Sequence, residues 1–179
     1  MPARKINIQE KKVNISAIIK AVLIGDSIIS NTTAAHSLYQ TSCFGEIIDK
    51  KIKYSPYEAL YLIEKGKLLL TEKKKKIKFD AFIVTLKETD KKITAKYAVF
   101  KDMRDRGYIV KTALKFGAEF RVYNKGVKPG EDHARWILYP VAENYELTWH
   151  EFSAKNRVAH STKKNLLIGI VDEENDVTY

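Results

Sequence analysis

FRVYNKGVKPGEDHARWILYPV, residues 120–141, is the stretch on which the reading of the chain turns. Apolar residues alternate on both flanks, the two-residue period of strands with one buried face. Between the flanks lie Gly126, Pro129, Gly130, Glu131 and Asp132, residue types that turn a chain rather than extend it. Tyr123 closes the first strand, and His133 opens the second ten positions later. Either the pair is ordinary strand-end decoration, or the loop folds both onto one reaction centre.

Working outward, strands YIVKTALKF and EFRVY precede the loop, separated by a break at Gly117. TWHEFSAKNRVAHS reads as a helix, LLIGIV as an apolar strand, and DEEND as a polar turn before a final VTY. Upstream, KKITAKYAVFKDMRDR reads as a helix capped by Thr89 or Asp90 and ended by Gly107. FDAFIVTLKE reads as helix rather than strand. TEKKKKIK, residues 71–78, is a charge run, either a solvated linker or loop or a nucleic-acid patch.

The first third carries two clear signals. Gly25-Asp26 lies between apolar runs and predicts a hairpin. SPYEALYLIEKGK predicts a helix, with Ser55 as N-cap, Pro56 in the first position, Glu58 completing a capping box and Gly66 as stop. Ala59, Leu60, Leu62 and Ile63 would form its buried face, and KLLL then reads as a strand. These patterns predict an α+β or α/β chain of two small domains. The boundary would fall near residue 80, at the end of the charge run.

Composition narrows the function. The 179 residues suffice for a real core. No apolar run reaches membrane-spanning length, and MPARKINIQEKK lacks a leader core, so a soluble cytoplasmic protein with no membrane partner is expected. Cys43 is the single cysteine, which excludes an intrachain disulfide and a Cys-based zinc site. A net charge of +10 calls for a polyanionic partner, RNA or DNA above all. Residues 106–128 hold six cations, Arg106, Lys111, Lys115, Arg121, Lys125 and Lys128, against the one acid Glu119. Phe116, Phe120 and Tyr123 are interleaved with them, as stacking platforms or as ordinary strand core. No Gly-rich phosphate loop and no carboxylate cluster for a two-metal nuclease is present.

An RNA substrate brings its own nucleophile, the 2′-hydroxyl. Cleavage without metal then needs a base, an acid for the leaving oxygen and a cation for the phosphorane. Histidine suits the acid role near neutral pH. Tyrosine serves as base only if nearby Lys and Arg lower its pKa. Lysine is a compact charge for the phosphorane.

Three strings carry a resemblance: FKDMRDRGYIVKTALKFGAEFRVYNKG (100–126), DHARWILYPV (132–141) and RVAHSTKKNLLIGIVD (157–172). In this order they resemble the catalytic domain of the archaeal tRNA-splicing endonucleases, and SPYEALYLIEKGKL is similar to that family's N-terminal helix. The resemblance implies a mixed α+β domain over residues 1–80, a nuclease-like α/β catalytic domain with a central mixed sheet over residues 81–179, and a metal-independent endoribonuclease without cofactor. Such an enzyme excises introns from precursor tRNA at bulge-helix-bulge sites, leaving 2′,3′-cyclic phosphate and 5′-hydroxyl ends. It implies Tyr123 as base, His133 as acid and Lys164 on the phosphorane, with Lys163 in the place of a family arginine. It implies that Arg157 contacts a flipped base. The acidic turn Asp172, Glu173, Glu174 and Asp176 would insert into a basic pocket of another subunit. The assembly would be a homotetramer, or a heterotetramer with a structural subunit. The competing reading is a non-catalytic structural or RNA-binding subunit, which would be expected to lack part of the triad.

Overall fold

In the computed structural model, described here for residues 18–179, the chain builds two sheets joined by helices. The N-terminal segment inspected for a leader lies outside these residues. β1 (Ile19–Ile24) and β2 (Ser27–Ser30) form the expected hairpin around Gly25-Asp26, with Gly25 at φ +57° as a tight turn requires. After α1 (Thr33–Ser42) come β3 (Glu46–Ile48), β4 (Lys51–Tyr54), α2 (Pro56–Glu64), β5 (Leu68–Glu72) and β6 (Lys75–Ile77). The first sheet runs β3-β4-β2-β1-β5-β6, antiparallel except for the β1–β5 pair. Then follow α3 (Phe79–Thr89), α4 (Ile93–Asp105), β7 (Ile109–Thr112), β8 (Phe120–Tyr123), β9 (Trp136–Ala142), α5 (Trp149–Ser161), β10 (Asn165–Val171) and β11 (Val177–Thr178). The second sheet runs β11-β10-β9-β8-β7, with β9 and β10 parallel across the α5 connection.

α2 forms as its sequence dictates. Ser55 Oγ accepts from the Glu58 N–H, the Glu58 side chain returns to the Ser55 N–H, and Pro56 opens the helix. Ala59, Leu60 and Leu62 are fully buried, and Ile63 packs at the edge of the core. Three expectations need correction. Residues 71–78 are a hairpin, β5 and β6, not a linker; Lys73 and Lys74 take positive φ in its turn. Thr89 ends α3, and α4 starts after Lys92, whose N–H donates to Asp90 Oδ1. The strand read over YIVKTALKF stops at Thr112, and Leu114–Phe116 form a 3-10 turn. Residues 31–54, unassigned from sequence, form α1, β3 and β4. α1 buries only Ala35 and β3 buries nothing, so neither carries an apolar periodicity to read.

One core lies under the first sheet and takes Phe82 from α3 and Tyr97 from α4. A second lies between α4 and the second sheet, around Val99, Phe100, Phe120, Val122 and Leu138. A third lies on that sheet's other face, under Ala159 of α5. Gly169 in β10 permits the close approach of α4, because a Cβ there would meet Val99 at 3.0 Å.

The two sheets are fastened by aromatic rings and one buried ion pair. Tyr57 of α2 meets Phe120 edge-on at 4.9 Å, and Tyr61 meets Phe100 at 6.2 Å. Lys111 of β7 donates to Glu58 Oε1 (2.8 Å) and to the Gly45 carbonyl (2.7 Å). Both side chains are almost fully buried, 6% and 4% exposed. Arg104 adds a bond to the Ser42 carbonyl and covers the Phe44 ring.

Candidate active site

The register of the second sheet gathers the candidate residues at one edge. Val122 of β8 pairs with Trp136 of β9, and Trp136 pairs with Asn165 of β10. One step toward that edge sets Tyr123, Arg135 and Lys164 in a row; Arg135 N–H donates to the Val122 carbonyl, and Asn165 N–H to the Arg135 carbonyl. Neighbouring strands lie 4.7–4.9 Å apart, so Tyr123 and Lys164 are about 10 Å apart by backbone. His133 lies two residues before Arg135, in the chain entering β9.

Tyr123 is buried, 4% exposed. Phe120 and Val122 enter the core beneath α4, and strand alternation turns Arg121 and Tyr123 to the other face. Cys43 and Glu46, from the end of α1 and from β3, lie close enough to act on the phenol electrostatically. Burial raises its pKa above the ordinary tyrosine value; Arg121 pulls it down, and Cys43 and Glu46 push it up. The expectation that cations would lower this pKa is therefore not met in the isolated chain, because burial outweighs them. The Arg121 guanidinium lies 6.0 Å from the Tyr123 ring centre.

His133 is exposed, and its backbone N–H is held by Asp132 Oδ1 at 2.6 Å. The loop that delivers it is folded on itself: Val127 bonds Asn124, and the Glu131 carboxylate accepts the Lys128 N–H. Lys128 Nζ reaches the Gln40 carbonyl of α1 and moors the loop to the first half.

α5 ends in a turn that separates two lysines. Lys163 takes φ +54° and is exposed, whereas Lys164 is half-buried, with its N–H on the Ala159 carbonyl and its Nζ on the Thr162 carbonyl. Arg157 is exposed one turn before the end of α5. Lys111 and Arg106 do not join a basic surface: Lys111 is consumed by Glu58, and Arg106 by Asp102. Phe120 is core, fully buried. Of the other histidines, His160 is helical and exposed, His150 is exposed, and His36 bonds Asn31. Among the described residues, no three His, Cys, Asp or Glu side chains converge as metal ligands. No helix among them is long and apolar enough to cross a membrane.

The acidic turn lies at the other end of β10, about 20 Å from the row by strand rise. Asp172 Oδ1 accepts from the N–H groups of Glu174 and Asp176, so Asp172 shapes the turn, while Glu173, Glu174 and Asp176 are exposed. Beside it a cavity of about 330 Å³ is lined by Lys91, Lys92, Lys96, Tyr145 and Lys155 together with the acids Glu151 and Asp172.

Comparison with known proteins follows the same division. Residues 19–83 match the N-terminal domain of the tRNA intron endonucleases, and residues 93–179 match their catalytic C-terminal domain. The tRNA-splicing endonuclease of Thermococcus gammatolerans is 41% identical over 158 residues, 88% of this chain and 92% of that protein. That of Pyrococcus horikoshii is 41% identical over 162 residues, 90% and 93% of the two. That of Nanoarchaeum equitans is 44% identical over 123 residues, 65% and 80%. The chain belongs to the tRNA intron endonuclease family. The resemblance read from its strings is borne out, as is the two-domain, mixed α+β layout. As a tRNA intron endonuclease it is an enzyme, and it carries the family's catalytic domain. The residues that periodicity missed, Cys43 and Glu46 beside Tyr123 and Glu58 beneath Lys111, come from the N-terminal half. Only the capping box at Glu58 announced any of them.

Proposed function

We propose that the chain excises introns from precursor tRNA by cutting bulge-helix-bulge sites without a metal ion. Tyr123 takes the proton of the 2′-hydroxyl, whose oxygen attacks the adjacent phosphorus. His133, as imidazolium, gives its proton to the departing 5′-oxygen as the P–O5′ bond breaks. Lys164 stabilises the charge of the five-coordinate phosphorane. The products are a 2′,3′-cyclic phosphate and a 5′-hydroxyl. The supporting observation is the row Tyr123–Arg135–Lys164, with His133 just upstream, at one edge of three adjacent strands. Arg157, on the helix leading to that edge, would contact an unpaired base. The exposed acids Glu173, Glu174 and Asp176 would dock in a basic pocket of another subunit, in a homotetramer or beside a structural subunit, with Asp172 shaping the turn.

The test is cleavage of a bulge-helix-bulge RNA by the purified chain in excess EDTA, with analysis of the product ends. His133→Ala and Lys164→Ala should each lose about 10²–10⁴-fold in rate while still binding the RNA. Lys163→Ala should be mild. A dead Lys163→Ala beside an active Lys164→Ala refutes the lysine assignment, and inhibition by EDTA reversed by Mg²⁺ refutes the metal-free step. A chain inactive alone and after mixing with any partner subunit favours the non-catalytic reading.

A further inference from the structure

A buried phenol is a poor base, so Tyr123 needs help to shed its proton. The charged groups that face it are few. Cys43 follows α1 and Glu46 lies in β3; both oppose ionisation. In the neighbouring strand β7, Ile109 pairs with Tyr123 and brings no charge. In β9, Arg135 lies opposite, but its guanidinium rests on the Trp136 ring at 5.0 Å. Arg121 lies on the same strand and the same face, two residues before Tyr123, with its guanidinium 6.0 Å from the ring.

Arg121 is set apart by what surrounds it. Its cross-strand neighbour Lys111 is neutralised by Glu58, and its other neighbour, Ile137, is apolar and fully buried. Arg121 forms no ion pair among the described residues. Its Nε is buried and meets no acceptor among them. An orphaned guanidinium donor costs folding free energy. The one carboxylate nearby in the sheet, Glu58, therefore engages the neighbouring cation and leaves Arg121 without an ion-pair partner among the described residues.

We infer that Arg121 is a positioning residue for cleavage, whose uncompensated charge stabilises the Tyr123 phenolate as the RNA 2′-hydroxyl loses its proton. This rests on the reading of Tyr123 as the base. Arg121 forms no bond to the reacting atoms. Its role is to shift the balance between phenol and phenolate at the oxygen that receives the proton.

The test compares the wild type with Arg121→Met, Arg121→Lys and Tyr123→Phe. Single-turnover cleavage of a bulge-helix-bulge RNA is followed across pH, together with thermal melting and ultraviolet difference titration of the phenols against Tyr123→Phe. Loss of the charge should move the alkaline limb of the profile, where Tyr123 titrates, up by about one unit, so the rate below that limb falls about tenfold and the two profiles converge beyond it. Arg121→Lys should restore the limb toward its wild-type place. A lowered rate with the Tyr123 titration unmoved, or a lysine variant no better than methionine, overturns the inference. Should Arg121→Met fail to fold, the lysine variant's limb and its Tyr123 titration decide alone: both must stay near wild type, and an upward move as large as that expected for methionine overturns the role of charge. An active Tyr123→Phe would sink the reading of the base itself. An inactive Tyr123→Phe with an unmoved limb in Arg121→Met sinks only the role of Arg121.

Discussion

One carboxylate, Glu58, serves both halves of the molecule. Its Oε2 accepts from the Ser55 N–H and hydroxyl and starts α2; its Oε1 accepts from the Gly45 N–H and the buried Lys111 ammonium. A buried charge that loses its partner is expensive. Lys111→Met should destabilise the fold by about 3–5 kcal/mol, because it strands the Glu58 charge, as read from urea denaturation. Adding Glu58→Gln removes that charge while keeping acceptors for the cap, so the double variant should recover part of the loss. Equal stability of single and double variants would contradict the pairing. Gly45, between the two halves, allows no side chain: at φ +79° an added Cβ would collide with Ile52. The sequence displayed the Ser55–Glu58 box openly. It hid the second task of Glu58, because the partner lies in another sheet.

Among the elements, α5 leads into the turn that carries the candidate site's lysine and is held at its start by a second capping box, Thr148 with Glu151. The Tyr145 hydroxyl and the Thr148 bonds hold the Glu151 carboxyl down to about 2. A free glutamate titrates near 4.3. A folded pKa below the unfolded one means that this contribution is fully present above the unfolded value and is lost as pH falls through about 2. NMR titration of the Glu151 carboxyl should show that depressed midpoint, and Tyr145→Phe should raise it. Thr148→Ala should cost about 0.5–2 kcal/mol and speed hydrogen exchange in the first turn of α5. Elements with strong local signals, namely the Gly25 hairpin, α2, α5 and β10, were legible. Those held by tertiary contact were not: β3 has only exposed residues, and the lysines of β6 read as solvent-facing because they are.

Across the whole molecule, the candidate site depends on a register that no single segment states. The strings marked Tyr123, His133 and Lys164 by resemblance, but the row forms only because β9 and β10 pair in parallel through α5. The burial of Tyr123 was illegible for a related reason: the neighbours that act on it, Cys43 and Glu46, come from the stretch without readable periodicity. At this scale lies the assembly prediction. Replacing Glu173, Glu174 and Asp176 with Ser or Asn, while leaving Asp172 to hold the turn, should lower the oligomer mass and the paired cutting of two splice sites without unfolding the chain. Light scattering and cleavage are read together, and unchanged mass with full cleavage at both sites would rule the docking out. Raised salt should weaken the same contact, since exposed charges are screened beyond about 8 Å at physiological ionic strength.

The ion pair between Glu58 and Lys111 also sets an order in time. The two residues are 53 positions apart, so at a synthesis rate of 5–20 residues per second the acid emerges roughly three to ten seconds before its base. Through that interval the first sheet can close over α2 only if the Glu58 carboxylate stays hydrated. A first sheet that closes early would therefore keep water in the seam between the halves until β7 arrives and the lysine takes its place.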